Sequence, residues 1–335
     1  MRCVKYWMLV FPCLFALTLD APLSAQEDKA PKDKKEKAVE DVYTIPDGAD
    51  PKALLAAIRK VQAVQPKSLE QFLKGVATME KASALILKQV KDKKSAAYDV
   101  AVTTSLMTRL VRLQVPNGGD VDVKALFKDA EEFLTSKPDW TQEQVSIAAQ
   151  LPQALEKVDV KLAGKAYAAM GKLMKKQKNP QYVEYGESLL GSGRRLNLVG
   201  NMMKVDGTTF AGKPFKLSEL KGKVVLVDFW ATWCGPCLRE VPNMKKNFAK
   251  YHEKGFEIVG ISIDEDRSSL DRFLQDNEVP WIILHEKGKA NPVASYYGVN
   301  SIPFMVLIDK DGKVVSTEAR GAELDDLLAD LFAEK

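Results

Sequence analysis

Histidine, cysteine, net charge and long apolar runs are all scarce in this 335-residue chain. The only histidines, His252 and His285, stand apart from each other, so a metal centre built on histidine lacks ligands, and no metal is expected. Four cysteines are far too few for a disulfide-stapled scaffold, so an ordinary hydrophobic core must hold the fold. Lysine and arginine total 49 against 45 acidic residues, and a formal charge of +4 gives no general attraction to nucleic acid. Beyond the first 25 residues no window approaches the roughly 20 apolar residues of a membrane-spanning helix. What is present is 46% hydrophobic residues over a length that suits two domains.

Residues 1–25 carry Arg2 and Lys5, an apolar stretch from Trp7 to Leu19, and a small-residue end at Ser24 and Ala25, the pattern of a secretory signal peptide. The alternative is an uncleaved tether, for which the stretch is short. Cys13 follows Phe11 and Pro12, which does not suit lipid attachment. The expectation is therefore an exported protein, periplasmic or in the cell envelope, soluble or tethered by its N-terminal segment. Cleavage would remove Cys3 and Cys13 and leave Cys234 and Cys237 as the only thiols. Residues 26–48 read as a charged flexible linker: ten of the fifteen residues from Gln26 to Glu40 are charged, with mixed signs.

From 49 to 195 the period is helical, which predicts an all-α domain. Asp50 before Pro51 and Asn179 before Pro180 place capping side chains ahead of a proline at the first helical position, and Thr141 with Gln144 forms a capping-box pattern. Leu69, Phe72, Leu73, Val76 and Met79 give one apolar stripe. No fixed repeat recurs. Without cysteine or histidine, these helices are expected to pack or to dock a protein partner rather than to catalyse.

From 197 to 335 the period changes. Short β-branched or aromatic segments at 223–230, 256–263, 281–284, 303–309 and 314–317 alternate in part with helical stretches, which predicts an α/β domain with a partly parallel sheet. Residues 207–220 would supply a preceding hairpin. At the end of the first central strand stands WCGPC, Trp233 to Cys237, opening a helix. A thiol there faces unpaired amide donors and the positive end of the helix dipole, which favour the thiolate. Two intervening residues, Gly235 and Pro236, keep Cys237 within reach to resolve a mixed disulfide at Cys234. A zinc pair would need further ligands, and a loop this short stabilises little as an inert disulfide. Asp228, inside the apolar strand, is a candidate proton-transfer group because burial raises a carboxyl pKa; the alternative is a carboxylate at a solvated sheet edge. His252 and His285 read as surface or satisfied core residues.

The segment VVLVDFWATWCGPCLREVP, residues 224–242, resembles the active-site segment of thioredoxin-fold proteins, in particular the exported TlpA/ResA-like thiol-disulfide oxidoreductases. A second match is SIPFMVLIDKDGKVV, and the added helix and strand between 268 and 284 suit that branch. The resemblance covers the C-terminal domain alone and implies a central mixed sheet flanked by helices, with an inserted helix and strand before a cis-proline. It implies that Cys234 and Cys237 form a redox-active disulfide, that Asp228 is the base for Cys237, and that the Ile302–Pro303 bond is cis and faces Cys234. Trp233, Gly235, Pro236 and Ile302 would contact substrate. It further implies a protein-disulfide reductase without a separate cofactor, client proteins bearing disulfides, a membrane-bound electron donor for re-reduction, and a place in cytochrome c maturation, for which no haem motif is present. The chain departs from relatives at Gly260, where thioredoxins often carry lysine, and at Leu238, where many carry a basic residue. Glu240 matches a family helix position without an implied duty. A peroxidase of the redoxin type is the alternative activity, but Ala231 and Val227 stand where its Thr or Ser and its proline would be.

Overall fold

The computed structural model describes residues 42–116, 118–286 and 291–333. The expected signal peptide and most of the expected linker lie outside the described residues. Residues 42–48, read as the end of that linker, depart from expectation: Val42, Tyr43 and Ile45 pack on a helical core, and the Tyr43 carbonyl accepts a hydrogen bond from Thr78 Oγ1 at 3.2 Å. Three apolar residues in this stretch give it surface to bury that the charged part lacks.

The chain forms two compact units, Met1–Tyr182 and Val183–Lys335. The first contains α1 (Pro51–Gln62), α2 (Leu69–Gln89), α3 (Ala96–Gln114), α4 (Val123–Thr135), α5 (Gln142–Glu156) and α6 (Val160–Met174). Their starts follow local chemistry. Asp50, Ser68, Ser95, Asp122, Thr141 and Asp159 each accept a hydrogen bond from a first-turn amide, and Thr141 with Gln144 closes the capping box. On α2 the residues Phe72, Val76 and Met79 are buried, with Leu54 and Ile58 of α1 in the same cluster. Leu69 is instead exposed, because it is the first residue of the helix, before the turn at which burial begins.

The next helix, α7 (Pro180–Leu196), begins in one unit and mostly belongs to the other. Asn179 Oδ1 accepts from Gln181 N at its start. The division therefore falls inside α7, whereas the sequence places it near 195. The reason lies in contacts that its glycine-rich face permits, described below.

The second unit holds a hairpin of β1 (Asp206–Thr208) and β2 (Pro214–Lys216), and a five-stranded sheet. The sheet is built from β3 (Val224–Trp230), β4 (Phe256–Ser262), β5 (Ile282–Leu284), β6 (Phe304–Ile308) and β7 (Val314–Ser316), in the order β5-β4-β3-β6-β7. β3, β4 and β5 are parallel, whereas β6 and β7 run antiparallel to their neighbours. The helices of this unit are α8 (Gly235–Tyr251), α9 (Arg267–Asn277), α10 (Pro292–Tyr296) and α11 (Gly321–Leu331). This is a thioredoxin-like arrangement. Alternate β3 residues serve opposite faces. Leu226 and Trp230 join Met244, Phe248, Leu324 and Leu328 in one core, while Val225, Val227 and Phe229 join Phe215, Val293 and Tyr297 in the other. All seven β3 residues are buried, so the strand that leads to the cysteines is clamped on both faces and both edges. Among the described residues no helix is long and apolar enough to cross a membrane.

Candidate active site

β3 runs out at Trp230, and four residues later Cys234 caps α8. Its Sγ accepts a hydrogen bond from Cys237 N at 3.2 Å, so the sulfur itself occupies the place of a capping oxygen. Pro236 lies in the first turn, where its missing N–H costs nothing. Cys234 and Cys237 are joined in a disulfide, with Cα atoms 5.3 Å apart. Both sulfur-bearing residues are buried, while Gly235 and Pro236 are exposed and Trp233 projects with 67% of its surface open to solvent. The site is thus a nearly covered sulfur pair beneath an exposed rim.

From the other side of the sheet comes the loop into β6. The Ile302–Pro303 bond is cis, and the Ile302 carbonyl oxygen lies 3.8 Å from Cys234 Sγ. Pro303 itself is half-buried. Trp233, Cys234, Gly235, Pro236, Cys237, Ile302 and Pro303 therefore come together at one end of the sheet.

Asp228 sits two residues before Trp230 and shares its face, the face that carries both cysteines. It lies in register between Gly260 of β4 and Met305 of β6, in the interior of the sheet, which excludes the solvated-edge alternative. Its Oδ1 has no hydrogen-bond partner. Burial, and secondarily the nearby charge of Glu240, push its carboxyl pKa up to about 8. A Cβ at Gly260 would lie 2.7 Å from Ile283 Cδ1 and 3.0 Å from Trp230 Nε1, so any larger residue at this register position requires those two side chains to shift. Glu240, besides its effect on Asp228, accepts from Gly321 N at 2.9 Å and so fastens the start of α11 to α8. Leu238 is half-buried against the core that holds the cysteines.

Two residues depart from the sequence reading. Asp264, not singled out there, is buried just after β4 and accepts from Thr232 N at 3.0 and 3.1 Å, from Thr232 Oγ1 at 2.6 Å and from Ser262 Oγ at 2.9 Å. It pins the turn that ends in Trp233 and Cys234. The only sequence signal was a carboxylate immediately after an apolar strand. His285, expected on the surface or satisfied in the core, is 3% exposed with neither ring nitrogen hydrogen-bonded. Burial and the positive charge of Arg267 hold its pKa below the ordinary imidazole value. His252 fits its reading, with Nδ1 3.1 Å from the Phe256 carbonyl and its ring stacked on Phe248. Among the described residues no three His, Cys, Asp or Glu side chains converge as a metal site.

Comparison with known proteins adds an independent line. Residues 199–331 match the Redoxin family. The thiol-disulfide oxidoreductase ResA of Bacillus thuringiensis subsp. konkukian is 37% identical over 121 residues, which cover 36% of this chain and 68% of that protein. ResA of Bacillus thuringiensis strain Al Hakam is 41% identical over 108 residues, covering 32% of this chain and 61% of that protein. The chain thus spans less than two thirds of this second relative's length. Among solved structures, the thioredoxin domain of a thiol-disulfide oxidoreductase from Bacteroides vulgatus is 29% identical, covering 39% of this chain and 96% of that one with a TM-score of 0.37.

Proposed function

This chain belongs, through its C-terminal unit, to the ResA family of thiol-disulfide oxidoreductases, and on that premise we propose that it reduces disulfides of client proteins in an exported compartment. The observation that carries the proposal is the bonded Cys234–Cys237 pair at the start of α8, with the carbonyl of a cis X-Pro bond 3.8 Å from the outer sulfur. In the reduced protein, the Cys234 thiolate attacks one sulfur of a client disulfide and displaces the other as a thiolate. The Cys237 thiolate then attacks Cys234 Sγ, breaks the mixed disulfide and releases the second client sulfur. Two electrons pass to the client, two protons complete its thiols, and the Cys234–Cys237 disulfide remains.

Asp228 is the proton acceptor for Cys237 in this scheme. A carboxyl near pH 8 is close to an ordinary thiol at about 8.5, so the proton moves between them at little cost. Ile302 and Pro303 offer backbone to an extended client segment, and Trp233 with Gly235 and Pro236 forms the rim it meets. A membrane-bound dithiol donor restores the reduced state, and the helical unit docks the partner. Support for export is the composition of residues 1–25.

The test is Cys237→Ser in the full chain. Without the resolving thiol, Cys234 is expected to hold clients as reductant-sensitive adducts, seen by non-reducing electrophoresis and identified by mass spectrometry. Adducts that persist equally in a Cys234→Ser variant, or none at all, would refute the proposal.

A further inference from the structure

The helix that precedes the Redoxin match is fastened to the loop that carries the cis-proline. At residues 297–304 the chain leaves α10, passes through the cis bond and enters β6. α7 grips this passage at three places. Arg195 Nη1 donates to the carbonyls of Tyr297, at 3.3 Å, and Gly298, ahead of the bond. Its guanidinium also lies 5.9 Å from the ring of Phe304, the residue directly after Pro303. Between these, Asn300 Nδ2 donates to Ser188 Oγ at 3.3 Å. Beside Arg195, its neighbour Arg194 donates to the Tyr296 carbonyl at 2.8 Å and stacks on the Tyr296 ring.

The approach is made possible by two facing glycines. A Cβ on Gly191 would come within 2.8 Å of Gly298 Cα and closer still to its nitrogen, and Gly298 has a left-handed φ of +57°. A backbone this close leaves no slack between the helix and the loop. Phe304 is itself held in β6 opposite Phe229, with ring centroids 5.7 Å apart. The guanidinium of Arg195 therefore bridges both flanks of the segment that presents Ile302 and Pro303, one flank through carbonyls and the other through a ring face.

We propose that Arg195 is a positioning residue for substrate recognition: by tying residues 297–298 and 304 to α7, it holds the Ile302–Pro303 backbone in the geometry that pairs with an extended polypeptide beside Cys234. The inference rests on the disulfide-reductase reading and adds to it a dependence on chain length in the substrate. A polypeptide disulfide uses the loop backbone, whereas a small disulfide without flanking peptide groups reaches Cys234 alone. Arg195 touches neither sulfur, so its loss should weaken the first and spare the second.

The experiment compares wild type with Arg195→Ala and Arg195→Lys as full-length proteins, each recycled by a dithiol whose direct reaction with each substrate is measured without protein and subtracted. The substrates are a synthetic peptide of some ten residues holding one disulfide, and 5,5′-dithiobis(2-nitrobenzoate). For Arg195→Ala the KM for the peptide is expected to rise about tenfold, the scale of a lost charge-assisted contact, with kcat and the rate toward the small disulfide unchanged. Arg195→Lys, which keeps one donor, should recover part of the loss. Gly191→Ala disturbs the same contact from the opposite side and should give the same split. An unchanged peptide KM in both Arg195→Ala and Gly191→Ala overturns the inference. So does an equal loss toward both substrates with a lowered melting temperature, which would mark a purely structural role. A wild-type protein that reduces neither disulfide would instead overturn the reductase reading.

Discussion

Replacing Asp228 by Asn should make the oxidised protein more stable relative to wild type as the pH rises, because the native fold holds this carboxyl in its neutral form. Its pKa moves from 3.8 to about 8, chiefly through burial. Between those values the folded state keeps a proton that the unfolded chain has already lost. The stability associated with that proton is fully present below about pH 4 and is lost as pH rises to about 8. One proton corresponds to about 1.4 kcal/mol per pH unit, so the ionised carboxylate costs on the order of 5 kcal/mol at the alkaline end. Asn does not titrate. It leaves amide donors to satisfy in the same pocket, at about 1 to 3 kcal/mol, but that cost does not vary with pH. The quantity to read is therefore the slope of the difference, not its offset. Urea unfolding of both oxidised proteins at pH 4, 6 and 8 provides it, followed by tryptophan fluorescence, since Trp230 and Trp281 lie in the core beside the disulfide. A difference between Asn and wild type that stays constant from pH 4 to 8 would refute the burial argument. A stability of Asn minus wild type that falls with rising pH would reverse its sign.

His285 should act in the opposite sense. Its pKa is lowered in the fold, so the unfolded chain binds the proton first, and stability should fall as pH drops through about 6.5. Arg267 opposes its protonation while Asp264 and Glu286 favour it, and His285→Leu should flatten the acid limb of the pH–stability curve, measured by urea midpoints between pH 5 and 8. Asp264→Ala should cost about 3 kcal/mol, because it strands the Thr232 amide, the Thr232 hydroxyl and the Ser262 hydroxyl in a covered site. The same change should speed hydrogen exchange at the Thr232 amide, and exchange as slow as in wild type would count against the pinning of that turn.

What was legible in the amino-acid order is whatever depends on near neighbours in the chain. Helix starts follow from side chains two or three residues away from the amides they cap, as at Asp50 and Thr141. Strands follow from short apolar β-branched runs, and the reactive pair follows from two cysteines one helical turn apart at a strand-to-helix junction. These interactions close over a few residues, so they survive without knowledge of the fold.

The rest depends on partners far away in the chain. Asp228 is an unpartnered interior carboxyl only because β4 and β6 flank β3 in the register that sets it between Gly260 and Met305. Nothing near His285 in sequence predicts that both ring nitrogens lack partners, and nothing near Thr232 predicts its carboxylate partner at 264. The helical period of residues 180–196 is the same whichever unit receives it, and the approach of Gly191 to Gly298 settles the allegiance of α7. Sequence alone determined which secondary structures form and where the redox pair lies, because local hydrogen bonding and periodic burial encode both. Tertiary structure decided the protonation of the acid behind that pair and the support of the loop in front of it, because desolvation and long-range contacts exist only once distant segments have packed.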